Sequence, residues 1–136
     1  MPQIPSNING VTVQFAATVV NDVDQGMIDG LKHCIRPQFA NGHHLLNIYI
    51  SSAFDSHKMP SRHMQHKAVD ISRVNGVKIV IGYPLGGSIT AIVDAIQSSF
   101  EGYIRRRENF GPHVKKKLGQ NWTVPGHNDH IHLSVN

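Results

Sequence analysis

Two short stretches of this chain alternate between apolar and polar residues, and that alternation limits its possible folds more than any other feature. In His130-Ile131-His132-Leu133-Ser134-Val135, the residues His130, His132 and Ser134 fall on one side of an extended backbone and Ile131, Leu133 and Val135 on the other. Successive strand side chains point to opposite faces, so one face is core and the other is wet. Lys67 to Ser72 repeats the pattern, with Val69 and Ile71 on one face and Ala68, Asp70 and Ser72 on the other. Pairing the two strands side by side brings Asp70 and His132 within reach of a single metal ion.

The remaining elements follow from periodicity and punctuation. Val11 to Val20 reads as extended. From Asp24 to Arg36, the positions Met27, Ile28, Leu31, Cys34 and Ile35 recur at helical spacing, with Asp24 as cap and Pro37 as stop. Leu45 to Ala53 is β-prone, with Leu46, Ile48 and Ile50 alternating with Asn47, Tyr49 and Ser51, while Asp55 to Arg62 has the composition of a loop. Asn75-Gly76 offers a hairpin turn into a strand over Val77 to Ile81. Gly86-Gly87-Ser88 opens a helix with an apolar stripe of Ile89, Ile92, Val93, Ile96, Phe100, Tyr103 and Ile104, and Arg105-Arg106-Arg107 then suits the negative end of its dipole. Pro112 and Gly119 bracket a further short helix, and a last strand runs from about His130 to Val135. The expected fold class is α+β, a small antiparallel sheet carrying a metal site and flanked by two or three helices. Residues 1–136 form one domain, with the chemistry in about 45–136 and a strand plus helix from 1–40 packing on it.

Composition narrows the chemistry. A single cysteine, Cys34, excludes an intramolecular disulfide, and its place on an apolar helix face makes it a packing residue. No apolar run reaches the roughly 18 residues a membrane span requires. The N-terminus has neither the basic segment nor the apolar stretch of a secretory signal, so the expectation is synthesis in the cytoplasm with export by another agent. The net charge of +4 is concentrated in Arg105-Arg106-Arg107 and Lys115-Lys116-Lys117, which suit polyanions or simply solvated surface. Few aromatics accompany these clusters and no nucleic-acid-binding module is recognisable, so a nucleic-acid partner is not expected.

Ten histidines are the unusual feature, with His63, His66, His127, His130 and His132 confined to two segments. A lone histidine is more often surface or satisfied core than ligand, but His63, Asp70 and His132 together make the two-histidine, one-carboxylate set of many catalytic zinc sites. Seven helical positions would separate His63 from Asp70 by about 10 Å of rise, too far for one ion, so His63 must arrive on a loop that folds back. Zinc acidifies its water and polarises a carbonyl, and a nearby base is still needed. Asp129 is placed for that role only if it lies before the regular strand, in the Gly126-His127-Asn128 turn, since strict alternation would send it into the core. His130, beside His132 on the polar face, is a second candidate for base or oxyanion donor.

Ser61-Arg62-His63-Met64-Gln65-His66-Lys67-Ala68-Val69-Asp70 resembles the Ser-x-His-(six residues)-Asp segment of the LAS-type zinc peptidases, and Asp129-His130-Ile131-His132 is similar to their closing His-x-His. That group contains lysostaphin-like enzymes, D-alanyl-D-alanine carboxypeptidases and hedgehog domains. The order, the spacing and Ala68 look most like the D-Ala-D-Ala carboxypeptidase branch with its phage endolysins, over about Ile48 to Val135. The resemblance implies Zn2+ held by His63, Asp70 and His132, with Asp129 or His130 catalytic; Ser61, Arg62, His66 and Arg73 are the expected substrate-side residues, Arg62 and Arg73 as substitutes for an arginine clamp because they are close in sequence to the ligands. Where that branch usually has glycine between the first ligand and the aspartate, this chain has His66. Where it usually carries a substrate-binding arginine, in Ser51 to Ser56, this chain has Asp55. The expected function is therefore zinc-dependent hydrolysis of an amide in the peptidoglycan stem peptide, endopeptidase rather than carboxypeptidase, by a monomer acting at a bacterial cell wall and of phage or virion origin. The alternative is a zinc fold kept for binding without turnover.

Overall fold

The computed structural model describes residues 2–53 and 66–136. Nine strands and three helices follow the order β1 (Asn7–Ile8), β2 (Val11–Phe15), α1 (Gln25–Cys34), β3 (Asn47–Ser52), β4 (Ala68–Val74), β5 (Val77–Lys78), α2 (Ile79–Gly82), α3 (Ser88–Phe100), β6 (Arg106–Phe110), β7 (Lys115–Lys117), β8 (Gln120–Asn121) and β9 (Ile131–Val135). The class is α+β, but the sheet is neither small nor purely antiparallel. Its nine strands run β1-β2-β3-β4-β9-β6-β7-β8, with β5 added against β4, and β2 pairs parallel with β3. The parallel pair has a direct cause: α1 lies in the connection between them, and a crossover through a helix returns the chain in the same direction. Among the described residues no single helix is long and apolar enough to cross a membrane.

The core lies where the apolar halves of the alternating strands meet the helices. Ile48, Ile50, Val69, Ile71, Val74, Ile131, Leu133 and Val135 join Met27, Leu31, Ile92, Val93, Ile96 and Phe100 in one buried cluster. Asp24 caps α1 by accepting from the Gly26 N–H at 2.8 Å. Helix α1 packs on α3. Gly30 permits the close approach, since a Cβ there would stand 3.0 Å from the Tyr103 ring. Cys34 is fully buried, and burial pushes its thiol up to about 12, as expected of a packing residue.

Several sequence expectations need correction. The first strand ends at Phe15, and Leu46 lies before β3, 67% exposed. After the Asn75-Gly76 turn the chain makes only two strand residues before coiling into α2, where Ile79 is buried while Val80 and Ile81 face outward. Helix α3 stops at Phe100, short of Tyr103 and Ile104, and Ile104 is 87% exposed. The arginines therefore do not serve the helix dipole. Arg105 faces Asp24 at 3.6 Å, and Arg106, the first residue of β6, faces Glu101 at 3.2 Å. The segment bracketed by Pro112 and Gly119 is not helical either. Lys117 and Gln120 pair across Leu118-Gly119, whose φ values of 53° and 77° fit a two-residue hairpin of the type usually written Asn-Gly.

A buried polar seam fixes β6 against α3. Gln97 and Asn109 are both almost wholly buried. The Gln97 amide donates to Asn109 Oδ1 at 2.9 Å and to the Val114 carbonyl at 3.0 Å, and its oxygen accepts from the His113 N–H at 3.0 Å. Asn109 in turn donates to the Gln97 carbonyl at 2.8 Å. Replacing Gln97 with leucine strands these groups, and each unsatisfied buried group costs about 1–3 kcal/mol. Gln97→Leu should lower stability by about 2–3 kcal/mol, seen as a lower urea midpoint with an unchanged denaturant slope. An unaltered midpoint would show that the seam does not secure β6.

Candidate functional site

The polar faces of three adjacent strands meet at His132. On β4 and β9, Asp70 lies directly opposite His132, and Asp70 Oδ1 is 2.9 Å from His132 Nδ1. On the other side Phe110 of β6 lies opposite His132, and the two rings stack with centroids 5.7 Å apart and planes 17° from parallel. Glu108, two residues before Phe110 in the unbroken register of β6 with β7, shares that face. Glu108 Oε1 lies 3.0 Å from His132 Nε2 and accepts the Ser134 hydroxyl at 2.8 Å, while the Glu108 N–H donates to Ser134 Oγ at 3.0 Å. Both imidazole nitrogens thus face carboxylates.

This face of β9 was expected to be wet, and it is not: His132 is 9% exposed and Ser134 is fully buried. Burial by itself would lower the His132 pKa, but hydrogen bonds to Asp70 and Glu108 and their charges outweigh it and raise it to about 9. Burial likewise opposes ionisation of Glu108, yet the bonds from His132 and Ser134, with the charges of His132 and Lys117, hold it at about 2.

Around this centre the turn before β9 contributes three further groups. Asp129 lies before the regular strand, as alternation required, with its side chain 65% exposed and Oδ1 2.7 Å from His130 Nδ1. The opposite nitrogen of His130 stands 3.9 Å from Asp70 Oδ1. His130 thereby spans the distance between Asp129 and Asp70. The bond from His130 is the main reason the Asp129 carboxyl stays below its usual range. The His127 ring lies 4.9 Å from that of His130 and 5.7 Å from that of His132, with its edge to Phe110 at 5.2 Å. Burial is the main cause of its lowered pKa.

The other expected residues divide into two groups. Ser61, Arg62, His63 and Asp55 lie outside the described residues. Arg73 is three residues beyond Asp70 and would face away from it on a regular strand. A register shift between the Ile50–Ile71 and Tyr49–Arg73 pairs returns it to the Asp70 side, where its guanidinium lies 4.4 Å over the Tyr49 ring. His66 has φ of 60°, a left-handed conformation that glycine adopts most readily. Its Nδ1 donates to the Asp22 carbonyl at 2.8 Å, and its own carbonyl accepts the Asp24 N–H at 2.7 Å, so it ties the approach to β4 onto the start of α1.

Glu108 and Phe110 were missed by sequence reasoning, and His127, counted in the histidine cluster, was given no role. Assigning the arginines to a helix end removed residues 106–110 from consideration as a strand. The alternation of Glu108 and Phe110 was the available signal. Among the described residues no three donors converge as a metal site. Asp70 and His132 would supply two donors to a divalent cation once His132 gives up its Nδ1 proton: a carboxylate stands beside one imidazole nitrogen, and a second carboxylate holds the far nitrogen. Ligating histidines commonly have that arrangement, which fixes tautomer and ring orientation. No protein-family model, curated protein or solved structure matches this chain.

A second constellation has the connectivity of a hydrolytic triad, with Ser98 Oγ 3.2 Å from His113 Nε2 and His113 Nδ1 3.3 Å from Asp94 Oδ1. Ser98 is inside α3, whose amides are spent on the helix, whereas a triad needs free N–H donors aimed at the oxyanion. Together with the Gln97 bonds to the same loop, it fastens residues 111–114 to the helix.

The difference in burial between the two acidic residues gives a stability test. Glu108→Ala removes the partner of a buried imidazole nitrogen and should cost about 2–4 kcal/mol in metal-free protein. Asp129→Ala, at an exposed side chain, should stay within about 0.5 kcal/mol of the parent. Equal losses in thermal or urea unfolding would show that Glu108 does not hold His132 in place.

Proposed function

We propose that this chain is a zinc-dependent peptidase that cuts an amide bond inside the stem peptide of bacterial peptidoglycan. The observation that carries the reading is the Asp70–His132 pair with Glu108 on its far nitrogen and the Asp129–His130 pair alongside. A bound zinc would be held by Asp70 and His132 together with His63, and would supply an acidified water and a polarised carbonyl. The protein's own share is positioning and proton handling. Glu108 orients His132, Phe110 packs its ring face, and Asp129 is exposed enough to meet substrate while hydrogen-bonded to His130. Asp129 is the group we assign to take a proton from the attacking water and pass it to the leaving amine, with His130 steadying its carboxylate.

The choice of an internal bond follows from charge. A carboxypeptidase must hold a free terminal carboxylate, for which a bidentate arginine is the natural partner. Asp55 occupies the place where the similar enzymes usually carry that arginine, and Arg73 is engaged with Tyr49. The deciding experiment is mass spectrometry of defined muropeptides after digestion with and without a chelator. Chelator-sensitive cleavage within the stem is expected. Release of D-alanine alone would establish a carboxypeptidase, and bound zinc without any cleavage would select the silent alternative.

Zinc and activity should separate cleanly among variants. His63→Ala, Asp70→Ala and His132→Ala should each lose zinc by elemental analysis, and a full equivalent retained in all three would show the ligand set to be wrong. Asp129→Asn should keep zinc and fold while turnover falls by roughly 100- to 10,000-fold. Near-normal turnover in Asp129→Asn would transfer the catalytic role to His130.

A further inference from the structure

The face that carries His132 does not end at β6. Phe110 and Glu108 lie opposite Lys115 and Lys117 of β7, and Lys117 lies opposite Gln120 of β8. Residues directly opposite in an antiparallel pair share a face, so Lys115 and Lys117 project on the same side as His132, and Lys116 on the other. Trp122 continues β8, with its N–H donating to the Lys115 carbonyl at 2.9 Å. Its ring comes round to that same side, where Lys117 Nζ stands 4.7 Å from the ring centroid.

Three features make this ledge more than solvated surface. Trp122 is the chain's sole tryptophan, yet it is 49% exposed at the end of a short edge hairpin. The two lysines have different duties. Lys115 is tethered, donating to Asn128 Oδ1 at 2.9 Å and to the Gly111 carbonyl at 3.4 Å, which ties β7 to the turn bearing Asp129. Lys117 keeps its ammonium over the indole. The acid opposite it, Glu108, gives its hydrogen bonds to His132 and Ser134 and feels the Lys117 charge only at longer range. A cation lying over an apolar ring is suited to a residue that presents a carboxylate and an aliphatic stem together.

We propose that Lys117 and Trp122 form a substrate subsite that binds a carboxylate-bearing residue of the wall peptide. Two inter-strand spacings separate β7 from β9, about 10 Å, which an extended peptide covers in roughly three residues. The subsite thus engages an acidic residue removed from the scissile amide, not the terminal carboxylate of a cleaved end. A γ-linked D-glutamyl residue with a free α-carboxylate has this chemistry. The assignment of the ligand rests on the peptidase reading above.

The single tryptophan gives a readout independent of turnover. L-alanyl-γ-D-glutamyl-L-lysine and its α-carboxamide counterpart would be titrated into full-length protein while Trp122 emission is followed. The carboxylate form should saturate the signal at a Kd about 10-fold or more below that of the carboxamide, the change expected for one charge-assisted hydrogen bond. Lys117→Gln should bring the two within about twofold, and Lys117→Arg should keep the preference. Equal affinities in the parent protein, or an undiminished preference in Lys117→Gln, would overturn the proposal. So would a response to a phosphate polymer such as single-stranded DNA with none to the peptides. Digestion of wall fragments is scored separately. Carboxylate preference without cleavage keeps the subsite and sinks the peptidase, while cleavage without preference does the reverse.

Discussion

The bracketing of His132 by Asp70 and Glu108 is the constraint on which the rest of this structure turns. Burying an imidazole between two carboxylates is costly unless each polar atom finds a partner, because desolvation of charge in a protein interior runs to several kcal/mol per ion. Here each does: Asp70 takes one ring nitrogen, Glu108 the other, and Ser134 occupies the remaining demand of Glu108. The arrangement requires three strands in fixed register. A slip of one residue in either β4 or β6 would turn its acid to the opposite face of the sheet. The site therefore depends on register as much as on residue type.

Register in turn depends on features far from the histidine. On the β6 side, Gln97 and Asn109 lock the strand to α3, and the Phe110–His132 pairing sets Glu108 and Phe110 on the face of His132. On the β4 side, the shifts opposite β3 set Ser52 against Asp70 and bring Arg73 to the same face. The apolar halves of the same strands close against α1 and α3. Packing on one face thus fixes the geometry of the polar groups on the other, which is how a sheet holds a rigid constellation without placing it on a loop.

What the sequence made legible was governed by period. Strict alternation in Val69–Asp70–Ile71 and Ile131–His132–Leu133 was enough to place Asp70 beside His132, and to require that Asp129 precede the strand. The apolar stripe of α3 was equally plain as far as Phe100. The failures fall where local pattern is ambiguous. Arg105 to Phe110 carries charges that suit a helix end as well as a strand, and the choice is made by tertiary contacts with Glu101, Gln97 and β9. Leu118-Gly119 is a hairpin turn without asparagine, so its flanking lysines did not read as strands. Both errors concealed the same wing of the sheet, and with it Glu108, Phe110 and the Lys117–Trp122 pair.

That wing also changes how the basic clusters are understood. Counted along the chain, Arg105 to Arg107 and Lys115 to Lys117 look like one positive surface, but the fold distributes them to different tasks. Arg105 and Arg106 are committed to Asp24 and Glu101, Lys115 is tethered to the turn bearing Asp129, and Lys116 faces away from His132. A continuous polyanion would need these charges on one surface to gain the additive, salt-dependent attraction that such binding relies on. Distributed in this way they do not offer it. The Lys117–Trp122 pair, one cation over a half-exposed ring on the face that carries Asp70 and His132, instead suits a single carboxylate, which is the recognition we propose for this wing.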